Sequence, residues 1–104
     1  MATVFTIYVG FNGPDRSPET QMTNRDTLFR ILAGSGMDGY TVYEGLGLWA
    51  GQTEPGASVV MIAPKDTDAE YVEAHAKVIA NNYKVQAQQE EVWVTRRQEG
   101  LMII

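Results

Sequence analysis

The stretch Gly39–Ile62, GYTVYEGLGLWAGQTEPGASVVMI, decides how the rest of the chain is read. Val42, Leu46 and Leu48 supply the apolar positions of a strand, and Tyr43, Glu44, Gly45, Gly47 and Trp49 lie among them. Gly51-Gln-Thr-Glu-Pro-Gly56 interrupts the run, and Ala57-Ser-Val-Val-Met-Ile62 resumes it. The pattern predicts a strand over about 40–49 and a strand over about 57–63 ended by Pro64, with Glu54 in the loop between them.

Toward the N-terminus, Val4–Phe11 alternates with period two. Phe5, Ile7, Val9 and Phe11 lie on one face and Val4, Thr6, Tyr8 and Gly10 on the other, as in a half-buried strand. Asn12–Met22, with Gly13-Pro14 and Ser17-Pro18, reads as a loop long enough to lie over a site. Thr23 with Asp26 three residues on resembles a helix start, and Leu28, Phe29, Ile31 and Leu32 continue it as a stripe. Gly34-Ser-Gly36 stops that helix.

Toward the C-terminus, Thr67-Asp-Ala-Glu70 is a capping box opening a second helix, whose core face is expected to carry Tyr71, Val72, Ala76, Ile79 and Tyr83. A last strand is expected over Glu91–Arg97, with Val92 and Val94 on one face and Trp93 and Thr95 on the other. Leu101-Met-Ile-Ile104 follows as a short apolar β segment. The whole chain, 1–104, reads as a single α+β domain. Its order β-α-β-β-α-β is that of the ferredoxin-like (PII-like) sandwich, with an extra short C-terminal strand. Two helices cover one face of such a sheet. Tyr8, Tyr43, Trp49 and Trp93 are expected on the other, an aromatic area that favours oligomerisation through the sheet.

Composition narrows the function classes. With 104 residues, 44% of them hydrophobic, the chain supports one core. The absence of cysteine excludes disulfides, thiolate catalysis and cysteine-bound zinc, and a lone histidine, His75, makes a metal cage a poor reading. His75, in mid-helix, reads as structural. A net charge of -5 argues against a nucleic-acid surface, which needs clustered Lys and Arg, and suits a cationic or small-molecule ligand. No stretch reaches the roughly 18 apolar residues of a membrane span, and the N-terminus has no basic region ahead of its apolar residues, so a cytoplasmic protein is expected.

Two carboxylates stand out. By parity Glu44 falls on the Val42/Leu46 side, pointing inward, where a charge needs a partner or neutralisation. Glu54, ahead of Pro55, is restrained to extended backbone and suits a cation or a hydroxyl-bearing ligand, or is simply a solvated loop residue. Gly45-Leu-Gly47 lacks the third glycine of a dinucleotide fingerprint; like Gly10 and Gly13 it permits a bulge or the close approach of a neighbouring backbone or a flat ligand. Arg96-Arg97 either meets an anionic group or keeps an edge strand soluble.

Tyr8-Val-Gly-Phe11, Tyr43, Gly47-Leu-Trp49, Thr53-Glu54 ahead of a Val-rich strand, and Gln98-Glu-Gly-Leu101, taken in this order, resemble the phage-encoded S-adenosylmethionine lyases, formerly called S-adenosylmethionine hydrolases. The same scaffold resembles the trimeric PII-like signalling proteins. The lyase resemblance implies a homotrimer with sites between subunits, S-adenosylmethionine as substrate, and a reaction needing neither metal nor cofactor. The substrate's carboxylate attacks its own γ-carbon, releasing 5'-methylthioadenosine and homoserine lactone, and so counteracts host restriction and methylation. It assigns Glu54 and Tyr43 the catalytic positions, with Glu44, Trp49 and Gly10 at the substrate and Glu44 competing with Glu54 as the key carboxylate. A non-enzymatic PII-like module that binds a small molecule, and a purely structural trimer, are the rival expectations.

Overall fold

Four strands and two helices make up the computed structural model, which describes residues 1–49 and 51–104, with the backbone only at 48 and 49. In chain order they are β1 (Ala2–Gly10), α1 (Pro18–Ala33), β2 (Thr41–Trp49), β3 (Gln52–Ala63), α2 (Ala69–Gln86) and β4 (Trp93–Glu99). The sheet is antiparallel throughout, in the order β2-β3-β1-β4, so each helix carries the chain from one strand past a neighbour to the next strand but one. The result is a small α+β domain. No helix among the described residues is long and apolar enough to cross a membrane.

The alternation read in β1 sets the layers, but the strand is not half-buried as expected, since Val4 and Thr6 on its other face are buried too, and only Tyr8 of that face is exposed. Phe5, Ile7 and Val9 are buried on the helical side beside Val59 and Met61 of β3. From α2 come Val72, Ala76, Ile79 and Tyr83, at the spacing that keeps one stripe against a sheet. Leu28 and Leu32 close the core from α1. Each large apolar side chain so buried contributes about 1.5–3 kcal/mol, which is why a single stripe per helix suffices to hold the layer.

Several boundaries differ from expectation. Half of the expected loop 12–22 is helix: α1 starts at Pro18, capped by Ser17, whose hydroxyl accepts from Thr20 N at 3.1 Å. Proline's fixed φ suits the first helical position, so Ser-Pro served as a helix start here. Thr23 is internal to α1, and its hydroxyl donates to Glu19 O at 3.0 Å. The interruption Gly51–Gly56 is also absent, since β3 begins at Gln52 and Glu54 is a strand residue. A left-handed glycine, Gly51 at φ 76°, lies in the connection from β2. Pro55 is tolerated because its carbonyl accepts from Phe11 N at 2.8 Å. N–H and C=O leave a strand residue on the same side, so the missing donor faces away from the β2 ladder.

The box at Thr67–Glu70 does not cap α2. A short 3-10 turn, Asp66–Asp68, precedes the helix, and Asp68 at the cap makes no side-chain bond to it. Tyr71 leaves the core face, 59% exposed, and lies against His75 with ring centroids 4.4 Å apart. It sits a quarter-turn behind the Val72–Ala76–Ile79 stripe. The tail 101–104 forms no strand and is exposed, because β4 already ends at Glu99 and no strand lies beyond it for the tail to pair with.

Candidate functional site

The strand registers build the open face of the sheet row by row. One row across it is Trp93, Tyr8, Ser58 and Tyr43, from β4, β1, β3 and β2. The next is Gly10, Gly56 and Gly45, a row with no side chains at all, and beyond it Glu54 pairs with Gly47. The alternation of small and large residues thus leaves a bare strip of backbone between an aromatic row and a carboxylate. Over it lies a cleft of about 1020 Å³, whose rim also takes in the 12–16 segment and the turn Gln88–Glu91. That volume is at the upper end of the ~300–1,000 Å³ of small-molecule sites.

Glu54 leans across the strip. A Cβ on Gly10 would overlap the Glu54 carboxylate, so glycine at this position is what gives that carboxylate its place. Its Oε2 accepts from Asn12 N at 3.3 Å. Gly56 has a different role: a Cβ there would run into the carbonyl of Val9, so the approach of β3 to β1 requires glycine. Tyr83, from α2, donates its hydroxyl to Gly10 O. Burial, and then the negative charge of Glu54, push its phenol well above the usual tyrosine range, so it remains a donor.

Charge follows the geometry. Glu54, Glu90 and Glu91 border the cleft, as does Glu44, and Arg16 is the one cationic side chain on its lining among the described residues. Such a rim attracts cations. Tyr8, Tyr43 and Trp93 line the cleft, and aromatic residues suit a flat or cationic group. Among the described residues no group of three or more His, Asp or Glu side chains is placed to hold a metal ion.

The structure brings Tyr43, Gly10 and Glu54 to one face, with Trp93 and Tyr8 where the alternation put them. Glu44 reaches only the edge of the cleft, and its carboxylate is turned away from them. As its parity implied, Glu44 projects to the helical side, but at the edge of the sheet it is exposed rather than inward, and Arg25 of α1 donates to it from both Nε and Nη2, the latter at 3.0 Å. The Arg25 guanidinium holds the Glu44 carboxyl below the usual range. A second, smaller groove of about 300 Å³, lined by Phe11, Met22, Arg25 and Pro55 among others, flanks this pair. The Trp49 side chain lies outside the described residues. Arg96 pairs with Glu73 at 3.2 Å and Arg97 with Glu99 at 2.6 Å, so each has a partner within the chain.

Sequence reading passed over Asn12 and Gln89, and placed Tyr83 only in the core. A tyrosine on a buried stripe was the available signal, because its hydroxyl must find an acceptor there.

No protein-family model matches the chain, and no curated protein matches its sequence. Solved structures with the same fold exist. A phage SAM lyase in complex with S-methyl-5'-thioadenosine is similar with a TM-score of 0.66 at 18% identity, over 93% of this chain and 81% of that one. A phage SAM lyase in its apo state is similar at 0.56 and 20% identity, over 91% and 78%. A DUF3240 family protein from Shewanella baltica is similar at 0.54 and 8% identity, over 98% and 97%. At these identities the likeness is one of fold.

Proposed function

We propose that the chain is a lyase that cleaves S-adenosylmethionine to 5'-methylthioadenosine and homoserine lactone. The observation that carries this reading is Glu54 set across a row of glycines from Tyr43, Tyr8 and Trp93, in an acidic cleft. A sulfonium nucleoside has the matching parts: a flat base, ribose hydroxyls, an ammonium group and a cationic sulfur. The fold shared with a phage SAM lyase that binds methylthioadenosine supports the assignment.

The chemistry asks for placement. An oxygen of the substrate carboxylate forms a bond to Cγ, the Cγ–S bond breaks, and its electron pair neutralises the sulfonium. No water enters and no proton is transferred. Folding the methionine chain into an attack conformation supplies the acceleration, an effect reaching ~7–11 kcal/mol for well-oriented intramolecular reactions.

Opposite charges on one molecule disappear in this step. A carboxylate placed against the sulfonium would therefore stabilise the substrate more than the transition state. Glu54 serves best by gripping the ammonium or the ribose hydroxyls, while aromatic faces border the sulfur. Tyr43 holds the reacting end by its ring or hydroxyl, and Gly10 keeps the floor open. Glu44, bound to Arg25 on the far side of β2, is at most an outlying charge of the proposed set, to which Trp49 also belongs.

The proposal takes the α+β domain as a ferredoxin-like, PII-like sandwich and includes a cytoplasmic homotrimer with clefts shared between subunits. Exposed Tyr43 and Trp93 on the open face of the sheet support assembly through it. Light scattering coupled to size exclusion tests it. Incubating the purified protein with S-adenosylmethionine and analysing the products by mass spectrometry tests the activity. Methylthioadenosine with homoserine lactone is the expected result; homoserine alone would indicate hydrolysis, and binding without turnover would favour a PII-like ligand sensor.

A further inference from the structure

We infer that Tyr83 is a positioning residue for Glu54, acting through the backbone of Gly10–Asn12, an inference that rests on Glu54 as the carboxylate that orients the ligand. Where β1 ends, three consecutive carbonyls leave the sheet and would face water or nothing. Each is instead taken by a side chain from elsewhere in the fold. Tyr83 Oη donates to Gly10 O, Asn24 Nδ2 to Phe11 O at 2.9 Å, and Gln89 Nε2 to Asn12 O at 2.9 Å. Gln21 Nε2 also donates to Asn12 Oδ1 at 2.7 Å. Both helices and the turn after α2 therefore hold one short segment.

Among the described residues, that segment supplies the hydrogen bond to Glu54. Asn12 N, aimed by the clamp, donates to Oε2, and the bare Cα of Gly10 receives the rest of the carboxyl group. Phe11 N, between them, is bound to Pro55 O, next to Glu54 in β3, so the segment is tied to the strand that carries the carboxylate. Tyr83 lies deepest in this arrangement, fully buried, and its hydroxyl has a single acceptor. A packing role alone would need only the ring. The hydroxyl, with the clamp around it, fixes the height of Gly10 and so the direction of Asn12 N–H.

The test separates this inference from the proposed reaction by using one measurement that needs no substrate. The backbone amide resonance of Asn12 is compared by NMR in wild type, Glu54→Gln, Tyr83→Phe and Gln89→Ala. Gln89→Ala keeps the test decisive if Tyr83→Phe unfolds. The expected result is that the Asn12 amide in the folded clamp variants moves toward its Glu54→Gln position. An Asn12 amide at the wild-type position in a folded clamp variant overturns the inference, whether or not the protein cleaves S-adenosylmethionine.

With active protein, Tyr83→Phe is expected to lower kcat roughly ten-fold, the scale of one lost hydrogen bond, with KM changing much less. It should add nothing in the Glu54→Gln background. Losses that multiply in the double variant would make Tyr83 merely structural and overturn the inference. Absence of turnover in wild type would overturn the proposed function and leave the NMR comparison to decide the role of Tyr83.

Discussion

Glu44 and Glu54 stand in adjacent strands of one hairpin, yet on opposite faces of the sheet and in different chemical situations. Glu44 faces α1 and is neutralised by a two-pronged bond from Arg25. Glu54 faces the open side, where among the described residues its hydrogen-bond partner is the main-chain N–H of Asn12, and its surroundings are glycine and aromatic rows. A carboxylate already paired with a guanidinium has little left to offer a cation. One held by a single N–H keeps most of its acceptor capacity for a ligand. The face of the sheet, more than the residue type or the local sequence, decides which of two glutamates can serve a site.

The largest expected effect that would break this contrast is on Glu54. Glu54→Gln preserves shape and removes the charge, and is expected to lower turnover about 100-fold, the scale of a lost positioning contact, with the fold and oligomer unchanged. Wild-type rates of methylthioadenosine release in this variant would remove Glu54 from the mechanism. Next is the glycine row. Gly56→Ala forces a methyl group into the Val9 carbonyl and is expected to cost about 1–3 kcal/mol, read as a lowered Tm. Gly10→Ala meets only the movable end of Glu54, so it should lose much less stability while displacing the carboxylate. Equal Tm losses for the two would contradict their different roles.

A smaller effect is expected at the aromatic row. Tyr43→Phe keeps the ring and removes the hydroxyl, and a loss of roughly ten-fold in kcat would assign the hydroxyl a part in holding the reacting end. Unchanged kinetics would limit Tyr43 to its ring face.

The smallest effect belongs to Glu44, which is exposed and screened by solvent. Its carboxyl is held below the ordinary value of 4.5 by Arg25. Whatever stability the pair contributes is therefore fully present above that value and lost as pH falls through the lowered one. The stability difference between wild type and Glu44→Gln, measured by denaturant unfolding, should be small at pH 7, shrink with added salt, and vanish in strong acid. A difference that grew toward low pH would contradict the ion pair.

Much of the fold was legible because period and parity survive folding unchanged. Phe5-Ile7-Val9 and Val72-Ala76-Ile79 each meet the core as their spacing requires, and parity alone sent Glu44 to the side where it needed a partner. Ser17-Pro18 and Gly51–Gly56 misled for a shared reason. Proline and glycine break structure in isolation, but a capping hydroxyl makes Pro18 a helix start, and a carbonyl turned toward Phe11 lets Pro55 remain in a strand.

By itself, then, the sequence determined the order of the four strands and two helices, though not that the tail stays out of the sheet, together with most of the apolar faces and an acidic chain without thiols. Only the tertiary structure decided that Gly10, Gly56 and Gly45 form one row, that Glu54 lies across it, and that Tyr83, Asn24 and Gln89 hold the segment beneath. Those relations depend on strand register and on hydrogen bonds between residues far apart in the chain, and neither hydrophobic period nor local propensity records which strand lies beside which.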